Sequence, residues 1–327
     1  MNILVCGGAG YIGSNMTAML ARHGHNPVVY DNLSKGHKSA IRNAQFVRGD
    51  LADYDLLVET IKKYSIDAVM HFAAFIEVGE SVADPLGYYY NNFCNARNLL
   101  QAMVDTGVNK FVFSSTAAVY GEPETIPITE DIAKQPINPY GDSKRAVELM
   151  LSFLSKTGKM NYAALRYFNA CGAGEDGTLG EDHQPESHLI PLIIQAAMGK
   201  REDIKIFGND YPTHDGTCIR DYIHIEDLCK AHLLALDKLD DEAELIFNLG
   251  NGKGYSVLEV IETVKKVSGK DFTVITGDRR PGDPPVLTAD ASRARQQLGW
   301  TTDFPELEII VESAWKFHNA NPDGYGD

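Results

Sequence analysis

The 327-residue sequence predicts an α/β fold: a doubly wound parallel sheet with a smaller mixed α/β substrate-binding unit in its second half. Three observations predict it. Short apolar runs alternate with stretches of helical spacing as far as about residue 170, a glycine-rich turn joins the first run to the first helix, and beyond 170 the alternation decays into Gly- and Pro-marked loops. The expected strands are Asn2–Cys6, Pro27–Tyr30, Ala44–Val47, Asp67–Phe72, Lys110–Ser114 and Tyr162–Arg166, rich in Val, Ile and Phe as strands buried on both faces are. Between them Ser14–His23, Tyr54–Tyr64, Tyr89–Thr106 and Tyr140–Gly158 have helical spacing. In the last, Ala146, Leu149, Met150, Phe153 and Leu154 trace one face. Later come the loops Ala173–Pro185, Gly208–Arg220 and Arg279–Pro285, with helices expected at Leu189–Gly199 and Val257–Ser268. The expected division is 1–170 for the sheet domain and 171–327 for the substrate domain, with about 219–250 returning to the first.

Composition narrows the partners. Thirty Lys and Arg against 45 Asp and Glu leave a net charge of −15, which repels nucleic acid and anionic membrane surfaces and favours a small-molecule ligand. With 44% hydrophobic and 23% charged residues, the chain is neither disordered nor fibrous. No apolar run reaches the roughly 20 residues of a membrane span. The first basic residue is Arg22, so the apolar start lacks the basic flank of an export signal. The five cysteines are odd in number, scattered and without a C-x-x-C pair, which suits a reducing compartment, and a cytoplasmic location is expected. The histidines show no H-x-x-x-H spacing, and although His183 and His188 flank a Pro-containing loop, no metal is predicted.

The run Gly7-Gly8-Ala9-Gly10-Tyr11-Ile12-Gly13 follows the first strand and opens the first helix, the context of a Rossmann-type dinucleotide site. Glycines there let the turn close, let the backbone approach a pyrophosphate and aim the helix N-terminus at it, although such a run can also be only a tight turn. Asp31, at the end of the second strand and 18 residues after Gly13, can accept both ribose hydroxyls of NAD and would repel the 2′-phosphate of NADP. As a strand-end Asp next to Asn32 and Ser34 it can equally cap a turn. Later strands also end in polar or small residues: Asp50, Ala73-Ala74, Thr116 and Asn169. Tyr140 and Lys144 stand at i, i+4, on one helix face downstream of the strand that delivers Ser115 and Thr116.

The segments GGAGYIGSN (7–15), GDL (49–51), SSTAAVYGE (114–122), NPYGDSKRAVE (138–148) and LRYFNACGAG (165–174) resemble the extended short-chain dehydrogenase/reductase family. GESVADPLGYYYNN (79–92), the stretch 198–228, FNLGNG (247–252) and RPGDPP (280–285) are similar to its sugar-nucleotide 4-epimerase branch, so that the resemblance spans nearly the whole chain. It implies reversible 4-epimerisation of UDP-galactose and UDP-glucose through a 4-keto intermediate, with tightly held NAD as transient hydride acceptor. The implied catalytic residues are Thr116, Tyr140 and Lys144. Implied NAD contacts are Gly7, Gly10, Tyr11, Ile12, Gly13, Asp31, Asn32, Asp50, Leu51, Phe72, Ala73, Ala74, Asn92, Ser114, Tyr140, Lys144 and Tyr167. Thr116, Asn169, His188, Leu189, Phe207, Arg220, Arg280, Asp283 and Leu287 are implied to meet the UDP-sugar.

Elementary chemistry agrees with the catalytic set. A phenol titrates near 10, and the Lys144 ammonium and the nicotinamide charge would both favour phenolate at Tyr140. Two arginines, Arg220 and Arg280, could hold a pyrophosphate bidentately; Arg220 could instead pair with Asp221. The chain departs from the family twice. Phe75-Ile76-Glu77 replaces a cofactor-contacting lysine, and His188, expected as a neutral imidazole, replaces a substrate-contacting asparagine. Leu287 falls where the family controls entry of 2-acetamido sugars, and its intermediate size implies weak activity on UDP-N-acetylhexosamines. The resemblance also implies a homodimer packed through the helices near Tyr89–Thr106 and Tyr140–Gly158, whose apolar faces could equally be core. Related 4,6-dehydratases and decarboxylases need carboxylates immediately after the hydroxyl residue, where this chain has Ala117 and Ala118. A simple ketone reductase and a non-catalytic NAD-binding scaffold are the other readings.

Overall fold

Alternation within each apolar run decides which core each side chain enters. In β1 (Asn2–Cys6) Ile3 and Val5 join one buried cluster while Leu4 and Cys6 join another, on the opposite face of the sheet. The computed structural model describes residues 1–280 and 283–326; Pro281 and Gly282 of the 280–285 motif and the terminal Asp327 lie outside the described residues. Among the described residues the main sheet has seven parallel strands, in the order β3 (Gln45–Arg48), β2 (Asn26–Asp31), β1, β4 (Ala68–His71), β5 (Lys110–Thr116), β6 (Asn161–Tyr167) and β10 (Glu244–Leu249). Helices α1 (Tyr11–Arg22) and α8 (Ile225–Lys238) cover one face; α2 (Tyr54–Lys63), α5 (Asn95–Thr106) and α6 (Pro139–Lys156) cover the other. Strand order reverses between β1 and β4, and the carboxyl ends of those strands open the crevice in which such sheets bind ligands.

Three elements differ from expectation in informative ways. The first helix starts at Tyr11 rather than near Ser14, because Gly10 is its N-cap and Ser14 N already donates to Gly10 O at 2.9 Å. The expected helix Tyr89–Thr106 is α5 preceded by a π-helical turn, Tyr89–Cys94, and by short helices α3 (Val78–Ala83) and α4 (Pro85–Tyr88). In α6 the apolar stripe traced from the sequence is not the buried face. Lys144, Val147, Glu148 and Leu151 face the sheet, whereas Leu149 and Phe153 are 50% and 67% exposed. That stripe shares a surface with Leu86 and Tyr90, since α4 and the π turn pack against α6.

The second half forms its own layer. A four-stranded sheet joins β7 (Asn169–Cys171), β9 (Ile219–His224), β11 (Gly254–Ser256) and β13 (Val286–Leu287), while β8 (Asp203–Phe207) pairs with β12 (Thr273–Gly277). Helices α7 (Leu189–Ala197), α9 (Val257–Ser268) and α11 (Leu307–Ala320) build a third cluster around Ile194, Ile261 and Ile310. Helix α8, strand β10 and the short α10 (Ser292–Leu298) join the main sheet's layer, so residues 225–249 sit with the first half.

Candidate active site

A cavity of about 770 Å³, large for a ligand pocket, opens at the carboxyl edge of the main sheet and is walled on its far side by the second unit. Gly7, at φ +78°, crosses so close to the turn after β4 that a Cβ would lie 2.5 Å from Ala73 N, and a Cβ on Gly13 would strike Gly7 O at 2.0 Å. The backbone is therefore bare where a dinucleotide would press on it. A Cβ at Gly10 would meet nothing closer than 3.5 Å, so that the cavity floor is open there. Asp31 accepts from Ala9 N at 3.0 Å and Leu33 N at 2.8 Å. It serves the turn and still borders the cavity with lone pairs to spare, burial having pushed its carboxyl above the ordinary range. Asp50 receives the Asn32 amide at 2.8 Å and stands next to Leu51 on the same wall. These residues fit an NAD.

Helix α6 aims the chemistry. Pro139 and the Asn138 side chain, which accepts from Gly141 N at 2.8 Å, start the helix, and Tyr140, Lys144 and Glu148 follow at i, i+4 and i+8 on the inward face. Lys144 Nζ donates to Ser114 O at 2.9 Å and lies 5.0 Å above the Phe113 ring, and burial pushes its ammonium down to about 7. Glu148 grips Arg166 of β6 through Nε–Oε1 (2.8 Å) and Nη2–Oε2 (2.6 Å), and takes the Ser115 hydroxyl at 2.6 Å, fixing β5 immediately before Thr116. Thr116 Oγ1 accepts from Ala118 N at 3.1 Å. The Tyr140 phenol is raised by burial, more than its hydrogen bond to Thr116 lowers it, and the Glu77 carboxylate adds to the rise. The expected help from Lys144 does not dominate in the protein alone, because the same burial that raises the phenol strips Lys144 of much of its charge.

The remaining predicted residues divide by place. Ser114 and Tyr167, bonded to each other, border the cavity with Ile12, Phe72 and Ala74, as do Asn169, His188, Arg220 and Leu287. Asn92 does not: it is buried behind the wall, accepting from Phe75 N at 2.8 Å and donating to Phe75 O at 3.0 Å, so it shapes the loop after β4. Leu189, Phe207, Arg280 and Asp283 also stand outside the lining. Arg280 stacks on Phe207 with its guanidinium carbon 4.0 Å from the ring centroid, and Arg220 pairs with Asp283. The alternative pairing of Arg220 with Asp221 does not form. Asp221 is buried and accepts from Ala289, Asn251 and Gly252 backbone amides, its carboxyl pushed up to about 6 by burial. His188 departs from the neutral imidazole expected, since Glu181 and Glu186 carboxylates lie 2.9 and 3.1 Å from its Nδ1 and hold its proton well above the ordinary range. Glu181 and His183 border the cavity too and were not singled out from the sequence as ligand contacts. Their signal was the doubled E-x-H of Glu181–His183 and Glu186–His188.

Residues 3–250 match the family described as "NAD dependent epimerase/dehydratase family". The chain is 49% identical over 326 residues to a UDP-glucose 4-epimerase of Halalkalibacterium halodurans, covering 99% of this chain and 98% of that one. It superposes with a TM-score of 0.94 on a UDP-glucose 4-epimerase from Brucella ovis in complex with NAD, at 48% identity and covering 97% of this chain and 98% of the other. A third similarity, at 36% identity and a TM-score of 0.94, covers 99% of this chain and all of a UDP-glucose 4-epimerase from Bifidobacterium longum in complex with NAD⁺ and UDP. Among the described residues no helix is long and apolar enough to cross a membrane.

Proposed function

Because the chain belongs to the NAD dependent epimerase/dehydratase family, we propose that it interconverts UDP-galactose and UDP-glucose by inverting C4 of the sugar. The observation that carries this reading is the meeting of Tyr140, Lys144 and Thr116 at the sheet edge, in one cavity with Asp31 at one end and Arg220 and Leu287 at the other. NAD, when bound, supplies the acceptor that takes a hydride from C4 and returns it to the opposite face of the ketone. Tyr140 takes the proton of the 4-hydroxyl as the C4–H bond breaks and gives it back when that bond re-forms, so no net redox change remains. Thr116 hydrogen-bonds the phenol and orients O4 toward it. Lys144, held by Ser114 O, adds positive charge beneath the phenolate when protonated. Methyl groups at Ala117 and Ala118 can move no protons, which leaves the ketone to be reduced again rather than eliminate water.

The UDP is assigned to Asn169 and Arg220 on the cavity wall and to Phe207, Arg280 and Asp283, which stand outside its lining; the pyrophosphate would compete with Asp283 for the Arg220 guanidinium. Leu287 limits the space beside the sugar, allowing weak turnover of UDP-N-acetylhexosamines. Residues 1–170 with 225–249 are the NAD-binding domain, and the rest is chiefly the substrate domain. The exposed stripe of Leu149 and Phe153 with Leu86 and Tyr90 supports a homodimer across α6 and its neighbours, and the working place of the protein is the cytoplasm. Incubating the purified protein with UDP-galactose and no added NAD should yield UDP-glucose. Absence of product, or stoichiometric consumption of added NADH, would replace this reading with that of a scaffold or a reductase.

A further inference from the structure

Between β7 and α7 the chain folds back so that Glu181, His183, Glu186 and His188 place one ligand atom each within 4.8 Å of one another. We propose that these four side chains bind one divalent transition-metal cation of the zinc class, which pins the loop that walls the sugar end of the cavity. The spacing carries the argument. Nδ1 of His188 lies 2.9 Å from Oε1 of Glu181 and 3.1 Å from Oε1 of Glu186, and Nδ1 of His183 lies 3.3 Å from Oε1 of Glu181 and 3.8 Å from Oε2 of Glu186. A tetrahedral cation with bonds of about 2.0–2.1 Å needs ligand atoms about 3.3 Å apart, the middle of that set. Hydrogen bonding satisfies the same atoms poorly. One ring nitrogen has a single in-plane position, yet His188 Nδ1 faces two carboxylates, while the buried Nδ1 of His183 has no hydrogen-bond partner.

The donor set suits the cation. Two imidazole nitrogens and two carboxylate oxygens select zinc-like metals over magnesium or calcium, which prefer oxygen alone. The carboxylates are only 5% and 4% exposed, so two negative charges are held together out of water, and one divalent cation carries the same charge as the two ring protons it would displace. The surroundings already orient the ligands, since Oε1 of Glu186 accepts the backbone N–H of Ser187 and of His188 at 2.8 Å each. The Ser187 hydroxyl donates to Glu77 at 2.8 Å, and the Tyr11 ring meets His183 edge-on at 6.5 Å. Loop 181–188 thus touches the first turn of α1 and the segment after β4, both on the NAD side. Four protein ligands close the coordination sphere, which makes this a structural rather than a catalytic centre.

The test uses the full chain with its bound NAD. After dialysis against EDTA, ZnCl₂ is titrated in the presence of a chromophoric zinc chelator, and melting is followed with and without the metal. One zinc per chain is expected, with the melting temperature raised by about 5 °C at a free zinc concentration near 100 times the dissociation constant. His183→Gln and Glu186→Gln should each weaken zinc binding by about 100-fold or more, given that loss of a mere orienting partner can cost that much. MgCl₂ should not compete. Substoichiometric uptake by the wild type, which requires no variant to fold, would overturn the proposal, as would equal uptake by the wild type and both variants; the cluster would then be ion pairs between protonated histidines and carboxylates.

Discussion

Replacing Glu148 with Gln changes one atom and should destabilise the protein severely. Arg166 is 2% exposed and sends Nε and Nη2 to the two Glu148 oxygens, and Nη1 to the Tyr120 hydroxyl at 2.8 Å. The glutamine amide keeps one acceptor, turns the other into a donor facing the guanidinium, and leaves the arginine charge uncompensated in the core. Breaking a buried pair in this way costs about 3–5 kcal/mol. For a chain of this size, at about 2 °C per kcal/mol, the melting temperature should fall by about 6–10 °C. Removing both charges, as in Glu148→Met with Arg166→Met, should cost far less than the two single changes added together, because no orphaned charge remains. Urea unfolding of the four proteins at fixed NAD concentration measures the cycle. Catalysis should suffer as well: Glu148 holds Ser115 next to Thr116 and lies one turn beyond Lys144, so kcat should drop while KM changes little. A loss below about 1 kcal/mol in Glu148→Gln, or strictly additive single changes, would refute the reasoning.

Tyr140→Phe should keep the fold and the bound NAD and lose at least about 10²-fold in turnover, the scale of a positioned acid–base group; near-normal turnover would remove Tyr140 from the chemistry. Leu287→Tyr should abolish activity on UDP-N-acetylglucosamine and Leu287→Cys should raise it, the wild-type crowding being about 1–3 kcal/mol; kcat/KM for both substrates decides, and an unchanged ratio in all three proteins excludes Leu287. Burial lowers His71 to about 3, and His224 and His232 to about 4, so these rings are neutral in the fold while the unfolded chain protonates them near 6.5. Their stabilisation is complete above pH 6.5 and is lost as pH falls toward 4, with a limiting slope of about 4 kcal/mol per pH unit for the three together. His232→Phe should remove about a third of that slope in unfolding measurements between pH 6 and 4.5, and an unchanged slope would count against it.

The sheet half was legible because its signals are local. Asn2–Cys6, the glycine turn and Asp31 occupy one stretch, and alternation of strand and helix requires no knowledge of distant partners. Helix α8 is not among the expected elements, although Ile225, Leu228, Ala231, His232 and Leu236 recur at helical spacing and are all buried. Helix α6 misled in the opposite sense. Its apolar stripe was visible, but its buried face carries Lys144 and Glu148, whose burial depends on Ser114 O and Arg166 from strands 30 and 18 residues away in sequence. At 181–188 the two histidines of the loop are visible in the sequence, but they are five residues apart and off any helical ligand spacing, and nothing local says that the loop folds Glu181 and Glu186 back onto them.

The substrate wall is the part that no local pattern could have located. Asn169 is in β7, Arg220 in β9 and Leu287 in β13, yet β9 pairs with both neighbours, with Asn169 opposite Tyr222 and Leu287 directly opposite Arg220. Register therefore ties the arginine assigned to the pyrophosphate to the leucine assigned to the sugar. Side chains alternate faces along a strand, so a one-residue slip of β13 would withdraw Leu287 from the cavity and put a neighbour opposite Arg220. On the proposed assignment of Arg220 and Leu287, the four-stranded sheet would couple recognition of the nucleotide to selection of the hexose. Changes that loosen β13 should alter both together, whereas changes confined to the Leu287 side chain should alter selection alone.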